Sequence, residues 1–249
     1  MWRIQNKMIR YFVGLDLGQS NDYSACAILE QELKLPQYMP MATSRSIIKG
    51  PFIHPPEPVT PSVIDNTYLL RYLKRFKLGT PYPLIVEKVY ELMQEPELVR
   101  YGRLVVDKTG VGAPVVDMLK AKKLRPIAIV ITGGHQVVNV EGKNEYHVPK
   151  ADIVSALAIL FHSKRLKISG KLEEAKTLRK EIGDFSYKIS RTGHASYGAE
   201  GAGENDDLVL SVALPSWYAL RGSYTRLTVP GHGVEETDEK ANEWNPLGG

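Results

Sequence analysis

Tyr11-Phe-Val-Gly-Leu-Asp16-Leu-Gly18 is an apolar segment near the start of the chain that carries a single carboxylate. Every second residue from Val13 to Leu17 is a large aliphatic one, which is the period of a β-strand. An aspartate inside such a strand costs free energy unless its charge is compensated by a partner. Asp16 is therefore the first candidate functional residue.

Two later segments repeat this combination of an apolar run and an aspartate. They are Leu104-Val-Val-Asp107-Lys-Thr-Gly-Val-Gly112 and Gly203-Glu-Asn-Asp206-Asp207-Leu-Val-Leu. Three such segments that converge would supply carboxylate oxygens, the ligands that hard divalent cations take. Two cations held in this way can cut a phosphodiester bond.

Each aspartate also has a structural interpretation. Asp16 could end a strand in a turn, or belong to the phosphate loop of an actin–hexokinase type ATPase, and Asp107 could cap a helix. Acids are also favoured at a helix N-terminus by the helix dipole. Successive helical residues point about 100° apart, so Asp206 and Asp207 cannot face one cation equally. We expect Asp207 to be a ligand and Asp206 to support it or bind a second ion.

Composition places the chain among ordinary globular proteins. The chain has 249 residues, of which 43% are hydrophobic and 24% charged, enough for one domain with a sizeable core. Its longest apolar stretches are too short to span a bilayer, and we see no signal peptide. The single cysteine, Cys26, excludes an internal disulfide and a cysteine-based zinc site. We expect a buried strand thiol and a cytoplasmic protein.

Charge is unevenly distributed along the chain. The net charge is +4, and residues 235–243 carry −4, so the remainder carries +8. Basic residues are frequent from Lys164 to Arg191. A basic surface beside an acidic pocket suits a polyanion that is bound through its backbone. Charge alone favours the alternative, a solvated helix face.

Periodicity and turn residues predict the elements and the fold class. The predicted strands cover residues 10–18, 23–31, 44–49, 104–107 and 127–131. The predicted helices cover residues 63–76, 82–93, 114–123, 149–163, 172–183 and 206–220. A hairpin is predicted at 185–190 and 194–197. This order indicates an α/β protein with a mixed five-stranded sheet and helices on both faces. We expect an extension at 1–9, a domain at 10–222 and a weakly ordered polar tail at 223–249.

Four segments, in order, resemble the ribonuclease H-like nucleases, and in detail the nuclease domain of phage large terminase subunits. They are Gly14-Leu-Asp-Leu-Gly-Gln-Ser-Asn-Asp-Tyr-Ser-Ala25, Val106-Asp-Lys-Thr-Gly-Val-Gly-Ala-Pro-Val-Val-Asp-Met-Leu119, His147-Val-Pro-Lys-Ala-Asp-Ile-Val154 with Arg165-Leu-Lys-Ile, and Gly203-Glu-Asn-Asp-Asp-Leu-Val-Leu-Ser211. The resemblance covers roughly residues 10–220. It implies a ribonuclease H-like fold.

The resemblance also implies an activity and a set of ligands. Two Mg²⁺ or Mn²⁺ ions would be held by Asp16, Asp107 and Asp207, with Asp206 nearby, in an endonuclease that cuts double-stranded DNA with little sequence preference. The setting would be phage DNA packaging in the host cytoplasm, with a terminase motor domain, small subunit or portal as partner.

The sequence departs from that family in two respects. Asn205 stands where many relatives carry a histidine. No Gly-x-x-x-x-Gly-Lys-Ser/Thr segment occurs, so we do not expect this chain to be the ATP-driven motor. It would be an excised nuclease domain or a free-standing protein of the same build. A junction resolvase or similar hydrolase, an actin–hexokinase type ATPase and a non-catalytic binding module are the alternatives.

The predicted hairpin is the candidate DNA-binding rim. Lys188 and Arg191 could neutralise phosphates, Tyr187 could stack on a base, and His194 lies on the second strand. Lys150 could contact a phosphate at the start of its helix. An ordinary surface hairpin and a solvent-exposed lysine are the alternatives.

Overall fold

The computed structural model describes residues 7–19, 22–34, 66–191 and 205–221, with the side chains of Lys7, Lys34 and 185–191 excepted. The strands are β1 Lys7–Asp16, β2 Ala25–Lys34, β3 Thr67–Arg75, β4 Gly102–Asp107, β5 Ile127–Thr132, β6 Val138–Asn139, β7 Glu145–Pro149 and β8 Leu166–Ile168. The helices are α1 Tyr82–Met93, α2 Pro96–Tyr101, α3 Gly112–Ala121, α4 Lys150–His162, α5 Ala175–Arg191 and α6 Asp207–Arg221.

The strands form one mixed sheet in the order β6-β7-β5-β4-β1-β2-β3-β8. β2 runs antiparallel to both β1 and β3, whereas β4 runs parallel to β1 and β5 runs parallel to β4. This mixed sheet confirms the predicted α/β class. Four of the five central strands, β1, β2, β4 and β5, are ones that the sequence predicts, and β3 is not. Within the described residues the sheet has eight strands rather than five, because the short strands β6, β7 and β8 extend its two edges.

Two apolar cores cover the two faces of the sheet, which confirms the prediction of helices on both faces. Strand β1 alternates between them: Phe12 packs in the core with α4 and α6, and Val13 and Leu15 pack in the core with α1 and α3. A strand buried on both faces is apolar at nearly every position. Cys26 lies in the second core and is fully buried, as predicted.

Helix α6 lies unusually close to β1. An ideal Cβ on Gly14 would lie 2.0 Å from the carbonyl oxygen of Ser211 and 2.5 Å from Cδ of Pro215. Pro215 has no amide hydrogen to donate to the carbonyl oxygen of Ser211, and Gly14 leaves bare backbone opposite this point. The close approach positions the N-terminus of α6 over the end of β1.

The predicted helix at 63–76 is wrong where the structure describes it, because residues 67–75 form β3. Ile28 pairs with Tyr72 and Leu29 pairs with Leu70, which leaves Arg71 as the extra residue of a β-bulge. The bulge puts a spacing of three between the buried side chains of Leu70 and Leu73. That spacing imitates a helical period in the sequence.

The predicted hairpin is also wrong in its first half, because residues 185–190 continue α5. Leu178, Ile182, Phe185 and Ile189 recur at spacings of three and four residues, which is a helical period. The second half of the hairpin, 194–197, lies outside the described residues. So do the predicted strand at 44–49 and the predicted polar tail.

The predicted helix at 172–183 corresponds to α5, which begins three residues later and ends eight residues later than predicted. The other predicted helices are confirmed with small changes in their ends. Helix α1 has the predicted bounds, α3 begins two residues before the predicted Pro114, and α4 and α6 differ from prediction by one residue at each end. Among the described residues, no helix is long and apolar enough to cross a membrane.

Candidate active site

Four residues form a row across the C-terminal end of β1. Leu15 pairs with Val106, so the next residues, Asp16 and Asp107, end neighbouring parallel strands. Asp16 also pairs with Ala25, and Ala25 pairs with Arg75. Because paired residues of a sheet project from the same face, the row reads Asp107, Asp16, Ala25, Arg75 on the face covered by α6.

The N-terminus of α6 closes this row from above. Asp207 is the first residue of α6, and Asp206 and Asn205 precede it. The space between the helix and the row is a cavity of about 230 Å³. Its lining includes Asp16, Asp22, Asp107, Asp206, Asp207, Asn205, Gln19, Tyr23 and Thr109. The four predicted acids are therefore brought to one cavity.

The carboxylates raise one another's cost of ionisation. Burial is the main cause that holds the pKa of Asp16 well above its usual range, followed by the charges of Asp107, Asp206 and Asp207. Burial also raises the pKa of Asp107, although hydrogen bonds from Thr109 oppose it. Carboxylates that share a buried site repel one another when they are ionised, and a cation bound between them would relieve that repulsion.

Two side-chain cations already bond to the acids at the start of α6, Asp206 and Asp207. Arg75 binds Asp207 with two parallel hydrogen bonds, Nε to Oδ2 at 2.7 Å and Nη2 to Oδ1 at 3.1 Å. Lys150, the first residue of α4, donates from Nζ to Oδ2 of Asp206 at 2.9 Å. Burial raises the pKa of Asp207, and the bond from Arg75 opposes that rise.

A third acid holds the other side of the Arg75 guanidinium. Glu181 of α5 is 7% exposed and accepts a hydrogen bond from Nη2 of Arg75. Its second oxygen accepts a hydrogen bond from the amide of Val209, in the first turn of α6, at 3.3 Å. The Arg75 guanidinium therefore joins strand β3 to helices α5 and α6.

The loops around the cavity are fixed by backbone contacts. The amide of Thr109 donates to Oδ1 of Asp107 at 2.7 Å, which orients that carboxylate. An ideal Cβ on Gly112 would lie 2.1 Å from the carbonyl oxygen of Asp107, so the start of α3 needs a glycine there. After β1, the hydroxyl of Tyr82 donates to the carbonyl oxygen of Gly18 at 2.8 Å.

The donor set suits a divalent cation in its chemistry. Carboxylate oxygens are the ligands that Mg²⁺ and Mn²⁺ prefer, and the two side-chain cations bonded to Asp206 and Asp207 show that the site attracts positive charge. In the described part of the chain, no three His, Cys, Asp or Glu side chains stand ready to hold a metal ion. Arg75 and Lys150 are bonded to the carboxylates of Asp207 and Asp206 instead.

The predicted DNA contacts have different outcomes. Lys150 is bonded to Asp206, which lines the cavity, rather than directed to solvent. Tyr187, Lys188 and Arg191 belong to the last turns of α5 rather than to a hairpin, in the stretch whose side chains are not described, and His194 lies outside the described residues. Their role in DNA binding remains a prediction.

Sequence reasoning missed Arg75 and Glu181. Neither interrupts an apolar run, so neither is anomalous in its own segment. The signal for Arg75 is visible only once residues 67–75 are recognised as a strand with a bulge, because its alternation then puts Arg75 on the face of Asp16. The only signal for Glu181 is its place one residue before Ile182 on an amphipathic helix.

Comparison with known proteins gives a likeness in fold. No family model matches the sequence, and no curated protein is similar to it in sequence. The large terminase nuclease from thermophilic phage G20c is 19% identical, with a TM-score of 0.47 over 83% of this chain and 81% of that one. The human cytomegalovirus terminase nuclease domain, Mn-soaked, is 12% identical, with a TM-score of 0.44 over 85% of this chain and 84% of that one. With an inhibitor bound it is 12% identical, with a TM-score of 0.41 over 84% of this chain and 82% of that one. In fold, the chain is similar to terminase nuclease domains.

Proposed function

We propose that this chain is a divalent-metal-dependent DNA endonuclease of the terminase nuclease type, a hydrolase that cuts phosphodiester bonds. The observation that carries the proposal is the cavity at the end of β1, where Asp16, Asp107, Asp206 and Asp207 meet. The pKa of Asp16 is raised first by burial and then by the other three carboxylates. This supports a functional site whose carboxylates would ionise more readily with cations bound.

Asp16, Asp107 and Asp207 would hold two Mg²⁺ or Mn²⁺ ions, and Asp206 would assist at the second. When bound, such ions lower the pKa of the attacking water and stabilise the negative charge on the leaving 3′ oxygen. The chain itself contributes orientation, because the amide of Thr109 fixes the Asp107 carboxylate.

The substrate we propose is double-stranded DNA, bound mainly through its phosphates. The chain outside its acidic C-terminal stretch carries +8, which favours a polyanion and implies weak sequence preference. Lys188, Arg191, Tyr187 and His194 remain the proposed contacts. Lys150 remains a proposed phosphate contact at the edge of the cavity.

The biological setting we propose is phage DNA packaging in the cytoplasm of the host. A terminase motor domain, small subunit or portal would be the partner. The support for this setting is the resemblance of four sequence segments, in order, to the terminase nuclease domain. Another ribonuclease H-like hydrolase, such as a junction resolvase, is the second candidate, since it would use the same carboxylates.

Digestion of a supercoiled plasmid with Mn²⁺, Mg²⁺ or EDTA tests the activity. We expect cutting with either metal and none with EDTA, and we expect Asp16→Asn to abolish cutting while the fold persists, because an amide is a poorer cation ligand than a carboxylate. Asp117→Asn is the control, because the Asp117 side chain is 79% exposed on α3. A folded Asp16→Asn protein with near-wild-type cutting would refute the assignment.

A panel of substrates separates the two candidates. A terminase-type nuclease should cut linear and circular duplexes with little preference. Selective cutting of branched junctions or RNA–DNA hybrids would instead support the second candidate, with the same Asp16 dependence.

A further inference from the structure

Arg75 is brought to the acidic cavity by an irregularity in strand β3. Without the bulge at Arg71, the residue on the face of Asp16 would be Lys74 or Phe76 rather than Arg75, because side chains alternate along a strand. The bulge shifts the alternation by one residue and puts Arg75 in the row with Ala25 and Asp16. The small side chain of Ala25 separates the guanidinium from Asp16.

The guanidinium is held on several sides. Its two bonds to Asp207 are parallel, at 2.7 and 3.1 Å, which is the fork geometry that fixes a carboxylate plane. Glu181 accepts from Nη2, and the ring of Tyr23 lies 4.9 Å from the guanidinium carbon. The Arg75 side chain is 14% exposed. A side chain held in this way has lost the freedom that an exposed arginine keeps.

The pairing leaves Asp207 able to accept a further ligand. Each carboxylate oxygen has two lone pairs, and the fork from Arg75 uses one on each oxygen. Asp207 also lines the cavity that Asp16 and Asp107 line. A carboxylate can therefore face a cation on the cavity side while the guanidinium sets its plane from the other side.

We propose that Arg75 is a positioning residue that orients the Asp207 carboxylate toward the cation site, and that Glu181 fixes Arg75 for this role. The inference rests on the proposed function, because it takes Asp207 as a metal ligand. Groups that hydrogen-bond a metal-binding carboxylate set its orientation, and their loss typically lowers metal affinity or activity by about 10- to 100-fold.

The strand supplies a matched control. Arg71, four residues earlier on β3, makes the same fork with Glu30, Nε to Oε2 at 2.7 Å and Nη2 to Oε1 at 3.0 Å. Glu30 does not line the cavity. Arg71→Lys and Arg75→Lys therefore make the same chemical change in the same kind of ion pair, and only Arg75→Lys makes it beside the cavity. Lysine keeps the charge but cannot form the fork.

The experiment is a calorimetric titration of the metal-free protein with Mn²⁺ alone, followed by plasmid cutting across a Mn²⁺ series. We expect Arg75→Lys to raise the Mn²⁺ dissociation constant by at least about 10-fold and to raise the half-maximal Mn²⁺ concentration for cutting in parallel. Arg71→Lys should change neither quantity. Glu181→Gln, which leaves Arg75 in the chain, should raise the dissociation constant by a smaller factor.

Each outcome decides the inference. Unchanged Mn²⁺ affinity in a folded Arg75→Lys protein overturns it, and so does an equal loss in Arg71→Lys. If circular dichroism shows that Arg75→Lys is unfolded, the test is the Mn²⁺ affinity of Glu181→Gln. Unchanged affinity in that variant overturns the inference. If the wild-type protein binds Mn²⁺ but does not cut DNA, the proposed function is refuted, and the titration still tests the role of Arg75. Wild-type protein that binds no Mn²⁺ removes both.

Discussion

Negative charge exceeds positive charge around the cavity at the end of β1. Five described aspartates line it, and the described side-chain cations bonded to them are Arg75 and Lys150. Glu181 adds a sixth acid through Arg75. Because like charges in a buried site repel, the metal-free protein must hold extra protons or lose stability there.

The effect of this repulsion on the free energy of unfolding can be measured at Glu181 as a pH dependence. Burial, followed by the charge of Asp207, raises the pKa of Glu181 to about 7. An acid whose pKa is raised by folding binds more protons in the folded state, so the free energy of unfolding falls as the pH rises. The loss runs from the unfolded pKa, near 4.3, to about 7.

We therefore expect the wild-type protein in EDTA to lose melting temperature as the pH rises from about 5 to about 8. Glu181→Gln removes the titrating group, so its melting temperature should fall less across the same range. Asp184→Asn, which changes an exposed acid on the same helix, should follow the wild type. Parallel curves for the wild type and Glu181→Gln would contradict the expectation.

The candidate acids could be predicted because each is an anomaly in its own segment. Asp16 and Asp107 stand at the ends of apolar runs, where an isolated charge is costly, and Asp206 and Asp207 open an apolar helix. Arg75 and Glu181 could not be predicted, because what makes them unusual is their common neighbour, Asp207. That neighbourhood is created by the packing of α5 and α6 against β3, and no local pattern records it.

Long, regular elements were predicted well, and irregular ones were not. Helix α1 and strand β5 have the bounds that their periods indicate, to within a residue. Strand β3 failed because one bulge changes a period of two into an apparent helical spacing. Strands β6 and β8 have two and three residues, too few to establish any period.

Substitution by alanine should have opposite effects at two glycines, Gly14 in the contact of β1 with α6 and Gly183 on the surface of α5. Gly14→Ala forces a methyl group into the Ser211 carbonyl and the Pro215 ring, so we expect a loss of about 1–3 kcal/mol or more in the free energy of unfolding. Gly183 is exposed inside α5, and a Cβ there would meet nothing within 4 Å. Gly183→Ala should gain about 0.5–1 kcal/mol, because alanine favours the helix.

Urea denaturation measures both changes as shifts of the transition midpoint. Gly14→Ala should shift it down, and Gly183→Ala should shift it up, with similar slopes. A Gly14→Ala protein as stable as the wild type would mean that α6 does not need its close approach to β1. The position of Asp207 over the sheet would then require another explanation.

The whole fold brings together acids that are distant in the sequence, so the proposed cations should stabilise the whole fold. If the proposed site exists, Mn²⁺ should bind the folded protein and not the dispersed aspartates of the unfolded chain. At 100 times its dissociation constant it should add about 2.7 kcal/mol to the free energy of unfolding. A melting temperature that rises with Mn²⁺ in the wild type, and not in an Asp16→Ala, Asp107→Ala double variant, is the expected result. An equal rise in both proteins would contradict it.

DNA binding by the whole molecule should depend on salt more than on sequence. Each phosphate that a basic side chain neutralises contributes about 0.9 to the slope of log affinity against log salt. Lys188 and Arg191 lie three residues apart on α5, so replacing both with alanine should flatten the slope by roughly two units if both contact phosphates. The measurement is fluorescence anisotropy of a duplex oligonucleotide in Ca²⁺, chosen to suppress cutting, across a salt series.

The control is the double variant Lys88→Ala, Lys120→Ala. It removes the same charge from α1 and α3, on the opposite face of the sheet, and should leave the slope unchanged. Equal flattening in both double variants would mean that net charge, rather than the end of α5, governs DNA binding.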